Sequence, residues 1–158
     1  MSKPVKYSTI LWFVCLVFFA CEKKSDLHPV IEYLSCSKTL MKQNGLDSTF
    51  IRLSYRDNDG DFGSLDSTNV FIYDGRNDSL LITYMIPDLS AGQSGNLQEG
   101  ELILCVKSPC CLDTTGYTCL SSAAGIENNL QFHINIIDRA GNQSNTIQTE
   151  SVILECNY

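Results

Sequence analysis

The sequence predicts an all-β fold, an antiparallel β-sandwich of about seven strands. Three observations lead to this prediction. Short runs rich in β-branched and aromatic residues recur along the chain, apolar and polar residues alternate within several of them, and turn-forming segments rich in Asp, Asn and Gly separate them. No stretch has the apolar period of an amphipathic helix, so we expect strands joined by turns.

The expected strands can be placed in order. They are VIEYLS (30–35), STFIRLSY (48–55), NVFIYD (69–74), SLLITYMI (79–86), GELILCVK (100–107), NLQFHINII (129–137) and NTIQTESVILEC (145–156). In the second run Ile51, Leu53 and Tyr55 alternate with Arg52 and Ser54, and the sixth run alternates in the same way. A period of two is typical of a strand with one face on a core.

The N-terminus predicts a leader that precedes the folded domain. Lys3 and Lys6 come before an unbroken apolar run, ILWFVCLVFFA (10–20), which is about half of the roughly 20 residues that a membrane-spanning helix needs. That length is typical of the core of a secretory signal peptide. We therefore expect residues 1–20 to be a signal peptide.

The end of this run, FFACEKKSD (18–26), resembles the lipobox of bacterial lipoproteins. In that family a Cys after a small residue is lipidated and becomes the new N-terminus, so the resemblance implies Cys21 as the lipidation site. Ala20 fits the pattern, although two phenylalanines stand where Leu and a smaller residue are usual. Cys15 is less suitable because it lies inside the apolar run, and secretion with a free Cys21 is the alternative.

The resemblance implies a bacterial cell-envelope protein, anchored by lipid on the extracytoplasmic side, because several acyl chains hold a protein on a membrane stably. Residues 21–29 would be the lipidated N-terminus and tether, and 30–158 a single domain by length. Removal of residues 1–20, which carry two Lys and no acidic residue, takes the formal net charge from −7 to −9. That balance repels nucleic acid, so we expect no nucleic-acid partner.

Two loops add a second resemblance. DRAGNQSNTIQT (138–149) resembles the D-x-A-G-N-x-S…T signature at the last hairpin of many bacterial Ig-like domains. The loop DNDGDFG (57–63) is similar to a D-x-D-G-D-[IL]-G loop in lipoproteins of this general kind, with Phe62 in the aliphatic position. The resemblance implies an immunoglobulin-like or fibronectin III-like β-sandwich.

The acidic loop has the residue pattern of a cation site. Asp57, Asp59 and Asp61 fall at alternate positions, so a tight turn can direct all three carboxylates toward one hard cation. Gly60 and Gly63 would permit the bend. A merely hydrated Asp/Asn/Gly turn is the alternative interpretation.

The predicted topology extends this site. In an Ig-like sandwich the connection between the second and third strands and that between the last two lie at the same end. Asp138 and Asn142 would then join Asp57, Asp59 and Asp61 in an oxygen shell, and calcium takes roughly 6 to 8 such ligands. Without a cation the crowded carboxylates would destabilise the fold. We therefore predict one structural Ca²⁺, and regard Mg²⁺ as less suitable because of its strict octahedral geometry.

With Cys15 and the lipidation candidate Cys21 set aside, the remaining cysteines are even in number and belong to an oxidising compartment, which favours disulfides. They are Cys36, Cys105, Cys110, Cys111, Cys119 and Cys156. Strand direction favours Cys36–Cys156, and bridges from Cys105 and Cys119 to Cys110 and Cys111, in either order, would hold a connection of about 20 residues. A zinc site and a redox pair are alternatives that lack the usual C-x2-C spacing.

The chain offers little for catalysis. A Ser or Cys nucleophile needs a His, yet His28 lies in the tether and His133 lies within a strand, on the presumed outward face. The G-Q-S-G within AGQSGN (91–96) lacks the spacing of a nucleophile elbow. We therefore expect a non-catalytic binding or assembly module whose partner is an envelope protein or a polymer.

A binder of extracellular polymer or protein in an uptake or adhesion system is the main alternative, and an enzyme is the third. Carbohydrate platforms often use exposed aromatic residues, Trp especially, and the single Trp is lost with the leader. Tyr117 and Tyr158 remain candidate surface contacts.

Overall fold

The computed structural model describes residues 27–89, 97–113, 116–119 and 127–156. The expected signal peptide, the lipidation site Cys21, the AGQSGN segment and Tyr158 lie outside the described residues. No helix in the described part of the chain is long and apolar enough to cross a membrane.

The described residues are all-β, as the sequence predicts, and form twelve strands. The first six are β1 (Val30–Cys36), β2 (Leu40–Lys42), β3 (Ser48–Asp57), β4 (Val70–Asp74), β5 (Ser79–Tyr84) and β6 (Gln98–Lys107). The others are β7 (Cys111–Asp113), β8 (Gly116–Thr118), β9 (Glu127–Leu130), β10 (Phe132–Ile136), β11 (Ile147–Gln148) and β12 (Val152–Glu155).

The strands form three sheets and a hairpin. One antiparallel sheet has the order β1-β3-β6, and a second has the order β11-β10-β4-β5. A third has the order β2-β12-β9, in which β2 runs parallel to β12, and β7 pairs with β8. The count exceeds seven because the last two predicted runs each divide into two strands and β2, β7 and β8 are additional short strands.

One hydrophobic core connects the sheets. Fully buried side chains from β3, β4 and β10, including Ile51, Ile72 and Ile134, pack in one cluster. The alternation predicted for the second run is confirmed, because Ile51, Leu53 and Tyr55 are buried while Arg52 is exposed. Burying each large aliphatic side chain contributes about 1.5–3 kcal/mol, so this inward-facing set fixes the register of β3.

The predicted disulfide Cys36–Cys156 is wrong, because Cys156 is bonded to Cys111. The reason is the unpredicted strand β2, which lies beside β12 and brings Gln43 between the two half-cystines. The buried Gln43 side chain donates to the carbonyl oxygen of Cys156 at 2.8 Å and accepts from the amide of Cys111 at 3.0 Å. This amide therefore positions the bridge.

Cys119 is bonded to Cys110, one of the partners allowed for it, but Cys105 and Cys36 are free. Cys36 lies opposite Ile51 and Cys105 lies opposite Phe50, on the two sides of β3. Two strand spacings of about 4.8 Å separate these cysteines, and they face opposite sides of the sheet because Ile51 is buried and Phe50 is exposed. Neither the distance nor the direction allows a bond between them.

Candidate metal centre

The end of β3 supplies the first carboxylate. Inward-facing positions of this strand alternate from Thr49 to Asp57, and Asp57 is the last of them. Because Asp57 lies an even number of residues after Leu53 and Tyr55, its side chain points to the same side of the sheet. It is fully buried, with a relative exposure of 0%. A carboxylate therefore stands where the strand pattern would otherwise place an apolar side chain.

The end of β10 supplies the second buried carboxylate by the same logic. Phe132, Ile134 and Ile136 face the core. Asp138 follows two residues after Ile136, just beyond the strand, and its side chain points to the same side. Its relative exposure is 5%. The two loops that the predicted topology brings to one end of the domain thus each send an inward-facing Asp into the same space.

The loop after β3 turns back sharply on itself. Gly60 and Gly63, expected to permit the bend, have positive φ angles of 81° and 102°. The amide of Phe62 donates to Gln98 Oε1 at 3.0 Å, and the Phe62 ring stacks on Tyr55. These contacts fix both ends of the turn, so its carboxylates are held before any ligand binds.

Four carboxylates converge in this space. Asp57, Asp59, Asp61 and Asp138 each offer one oxygen, and all these oxygens lie within 4.8 Å of one another. Buried oxygens of the first three, in each case Oδ1, have no hydrogen-bond partner. Leaving a buried acceptor without a partner costs about 1–3 kcal/mol, and more for a charged group. The cluster is therefore incomplete as a purely protein structure.

The second oxygens of Asp57 and Asp61, and both oxygens of Asp138, accept hydrogen bonds from N–H groups. Asp57 Oδ2 accepts from the amide of Asp61 at 3.0 Å, and Asp61 Oδ2 accepts from the amide of Ala140 at 3.0 Å. Asp138 accepts from the backbone amide of Asn142 at 2.7 Å and from its side-chain amide at 2.9 Å. Asn142, a predicted ligand, thus contacts the cluster by orienting Asp138 through its N–H groups.

The electrostatics of the cluster are those of crowded anions. Burial, first, and the neighbouring Asp59 carboxylate together raise the pKa of Asp57 to about 6. Burial also raises the pKa of Asp61, as do the charges of Asp138 and Asp59. A cation at this position would lower the pKa of both Asp57 and Asp61, because it favours the ionised carboxylates.

Arg139 is the nearby cation, but it does not neutralise the four carboxylates. Its guanidinium donates to the carbonyl oxygen of Gly60 at 3.1 Å and forms an ion pair with Asp88. Its backbone amide donates to the carbonyl oxygen of Asp61 at 3.2 Å. Arg139 thus ties the two loops together and to the segment after β5, while the carboxylates stay without a counter-ion from it.

The donor set suits a hard divalent cation. All four groups are carboxylates, and calcium prefers six to eight oxygen ligands in flexible geometry. The convergence of four carboxylates, with three buried oxygens that have no protein partner, is compatible with a bound divalent cation. When bound, a calcium ion would supply positive charge and cross-link the β3–β4 loop to the β10–β11 loop, with Asp57, Asp59, Asp61 and Asp138 as the residues that would hold it.

Sequence reasoning did not find Gln98, Arg139 or Asp88 as supports of this loop. Gln98 lies 36 residues from Phe62 in the chain, and its role depends on the pairing of β3 with β6. No local pattern indicates such a contact. The DRAGN motif contains Arg139, but its pairing with Asp88 follows from the tertiary fold.

The other predicted positions have structural roles among the described residues. His133 is half-buried, with Nδ1 3.3 Å from Asp78 Oδ1 and Nε2 3.1 Å from the side chain of Gln148. Tyr117 is partly exposed, but its hydroxyl donates to the buried Asp74 at 2.9 Å.

Comparison of the chain with protein-family models, with curated proteins and with solved structures finds no match.

Proposed function

We propose that this protein is a lipid-anchored, extracytoplasmic lipoprotein of the bacterial cell envelope, with an Ig-like domain that acts as a non-catalytic binding or assembly module stabilised by calcium. The observation that carries the proposal is the convergence of Asp57, Asp59, Asp61 and Asp138 with three buried, unpartnered oxygens. A cation there serves stability, because it joins two loops at one end of the domain.

The strand order supports the Ig-like part of the proposal. In immunoglobulin-type sandwiches the first, second and fifth strands share one sheet, and the third, sixth and seventh share the other. Numbered by the seven predicted runs, β1, β3 and β6 are the first, second and fifth strands and share one sheet. The strands β4, β10 and β11 belong to the third, sixth and seventh runs and share another sheet. β5 adds to the second sheet beside β4, which favours the fibronectin III-like arrangement of three strands against four.

The leader supports the location. An apolar run that is too short to span a bilayer and ends at Ala20-Cys21 indicates export followed by lipidation. Two disulfides in the described domain fit an oxidising compartment. Replacement of Cys21 by Ser should release the protein from the membrane fraction and abolish incorporation of labelled fatty acid, and an unchanged membrane fraction would contradict the anchor.

Exposed apolar side chains favour a protein over a polymer as the partner. Phe50 and Ile103 are 49% and 64% exposed on the outer face of the sheet β1-β3-β6, and single exposed apolar residues are normal while contiguous ones mark contact surfaces. A polymer binder would instead need aligned aromatic rings.

The decisive experiment is the thermal midpoint of the oxidised mature chain, with Cys21→Ser, in EDTA and in millimolar calcium. Binding to the folded state alone should stabilise it by about 2.7 kcal/mol at one hundred times Kd, and Asp59→Ala should abolish the gain. Asp66→Ala is the matched control, because Asp66 is exposed and outside the cluster. Equal midpoints in EDTA and calcium would disprove the metal centre.

A further inference from the structure

The strand β6 is a long sheet edge. Its ten residues, Gln98–Lys107, pair with β3 on one side and with no other strand of the described chain. The carbonyl oxygen of Cys105 accepts a hydrogen bond from the Tyr84 hydroxyl, so it points away from β3. In an antiparallel strand the N–H and C=O of one residue point to the same side, and successive residues alternate. The odd-numbered residues of β6 therefore present the edge that no described strand pairs with, and the Tyr84 hydroxyl contacts it at Cys105.

These residues also have exposed side chains. They are Glu99, Glu101, Ile103, Cys105 and Lys107. Natural sheets protect such edges with charges, with proline or with a covering segment. Here the charged residues stand toward the ends of the strand, and its centre is apolar, with Ile103 64% exposed.

An apolar cavity of about 380 Å³ lies beside this edge, between β6 and the segment that follows β5. Met85, Pro87 and Leu102 are among the residues that line it. Met85 is 51% exposed. A strand added to the edge of β6 would cover part of this apolar surface as well as the backbone groups of the edge.

We propose that the occupant of this edge is β6 of a second copy of the chain, paired antiparallel about a two-fold axis at Ile103. In this register Ile103 meets its own counterpart, Glu101 faces Cys105, and Glu99 faces Lys107 of the other copy. The backbone amide of Glu101 from the other copy then replaces the Tyr84 hydroxyl as the donor to the carbonyl oxygen of Cys105. The two three-stranded sheets then form one six-stranded sheet with an isologous interface.

Charge complementarity selects this partner and this register. Within the described chain Glu99 and Lys107 form no ion pair, whereas Glu101 is bound by Arg52. The two-fold at Ile103 brings the two unpaired charges together twice, once on each side of the axis. A two-fold at Leu104 would set Lys107 against Glu101, which Arg52 already neutralises, and would pair a shorter part of the strand.

The antiparallel arrangement also separates the acidic ends. Gln98 pairs with Asp57 at the end of β6 next to the carboxylate cluster, and Lys107 lies at the other end. Two copies joined about Ile103 therefore hold their carboxylate clusters at opposite ends of the shared ladder, where repulsion between them is weak. The inference concerns the assembly role proposed above, but it depends on different residues from the metal centre.

The first test measures dimerisation of charge-reversal variants by sedimentation velocity. The sample is the oxidised mature chain, with Cys21→Ser, in the presence of calcium. The wild type should dimerise reversibly. Glu99→Lys and Lys107→Glu should each raise the dimer Kd about tenfold or more, because each places like charges opposite one another twice. The double variant should restore the wild-type Kd. A monomer at all concentrations, or single reversals without effect, would overturn the proposal.

The second test fixes the register in the full, lipidated chain by cross-linking in the cell envelope. In a Cys105→Ser background, Ile103→Cys should give a disulfide-linked dimer on a non-reducing gel, whereas Glu101→Cys should not. The two thiols lose two protons and two electrons to the disulfide oxidant supplied, and form one S–S bond. A cross-link at Glu101→Cys without one at Ile103→Cys would overturn the register. Because calcium titration measures stability and this test measures pairing, either proposal can fail alone.

Discussion

The Tyr55 and Phe62 rings lie stacked, with centroids 4.1 Å apart and planes inclined by 3°. Tyr55 is near the end of β3 and Phe62 follows the acidic turn, so the stack closes the loop that carries Asp57, Asp59 and Asp61. Phe62 is fully buried. The loop therefore has an apolar closure that is independent of any ion, and a metal would act on carboxylates that are already gathered.

Phe62→Ala should destabilise the domain by about 3–5 kcal/mol, because it removes a buried ring and leaves a cavity. It should also weaken calcium binding, since the turn loses its closure. Phe62→Leu should cost much less, because it keeps a large apolar side chain in the buried position. Urea denaturation in EDTA and calorimetric titration with calcium measure the two effects. Equal stability of the Ala and Leu variants would contradict this role of the ring.

Gly63→Ala should be among the more damaging single-methyl additions. Gly63 has a φ of 102°, and a Cβ there would lie 2.3 Å from the carbonyl oxygen of Pro87. Gly141 has a comparable φ of 88°, but a Cβ there would meet nothing within 4 Å. Gly141→Ala therefore measures backbone strain alone, about 1 kcal/mol, and Gly63→Ala adds the clash. The midpoints of urea unfolding for both variants test this, and equal losses would mean that the Pro87 segment moves aside freely.

Sequence reasoning placed the parts of the candidate site that depend on residue spacing in the acidic loop, on the expected topology and on turn chemistry. Asp57 and Asp138 continue the inward-facing positions of β3 and β10, and the period-two pattern already contains that information. Gly60 and Gly63 take positive φ for the reason that predicts a tight turn.

The rest depends on contacts that no local pattern specifies. The disulfide prediction failed because three residues, Leu40–Lys42, form the strand β2 beside β12 and bring Gln43 to Cys156. So short a strand has no readable period. Gln98 supports the acidic loop only because of the register between β3 and β6, and that register is a property of the whole sheet.

The two disulfides should contribute unequally to stability. In the chain-entropy account a bridge stabilises more when it closes a longer loop, and Cys111–Cys156 spans 45 residues while Cys110–Cys119 spans 9. Replacing both members of the longer bridge by Ala should cost about 4 kcal/mol, and replacing both members of the shorter bridge about 3 kcal/mol. Peptide mapping should confirm the pairing, and recovery of a Cys36–Cys156 peptide would refute it.

The two free thiols among the described residues should differ in reactivity. Cys105 is exposed and Cys36 is half-buried. Burial raises the pKa of the Cys36 thiol, and the thiolate is the reactive form. Maleimide under native conditions should therefore label Cys105 quickly and Cys36 slowly, with both labelled after denaturation. Faster labelling of Cys36 would contradict its placement.

The buried pair of Asp74 and Arg76 should give the domain an acid-sensitive component of stability. Burial alone would raise the pKa of Asp74, but hydrogen bonds from Arg76 Nε at 2.9 Å and its second guanidinium nitrogen at 2.6 Å outweigh it and lower the pKa. A depressed folded pKa means that this stability is present at neutral pH and is lost as pH falls below the usual value of about 4. Asp74→Asn should therefore cost about 3–5 kcal/mol at pH 7, since it leaves a largely buried guanidinium unpaired, and its difference from the wild type should shrink toward pH 3. Asp66→Asn, at an exposed position with no ion pair among the described residues, is the matched control, and a difference that stays constant from pH 7 to about 3 would contradict the coupling.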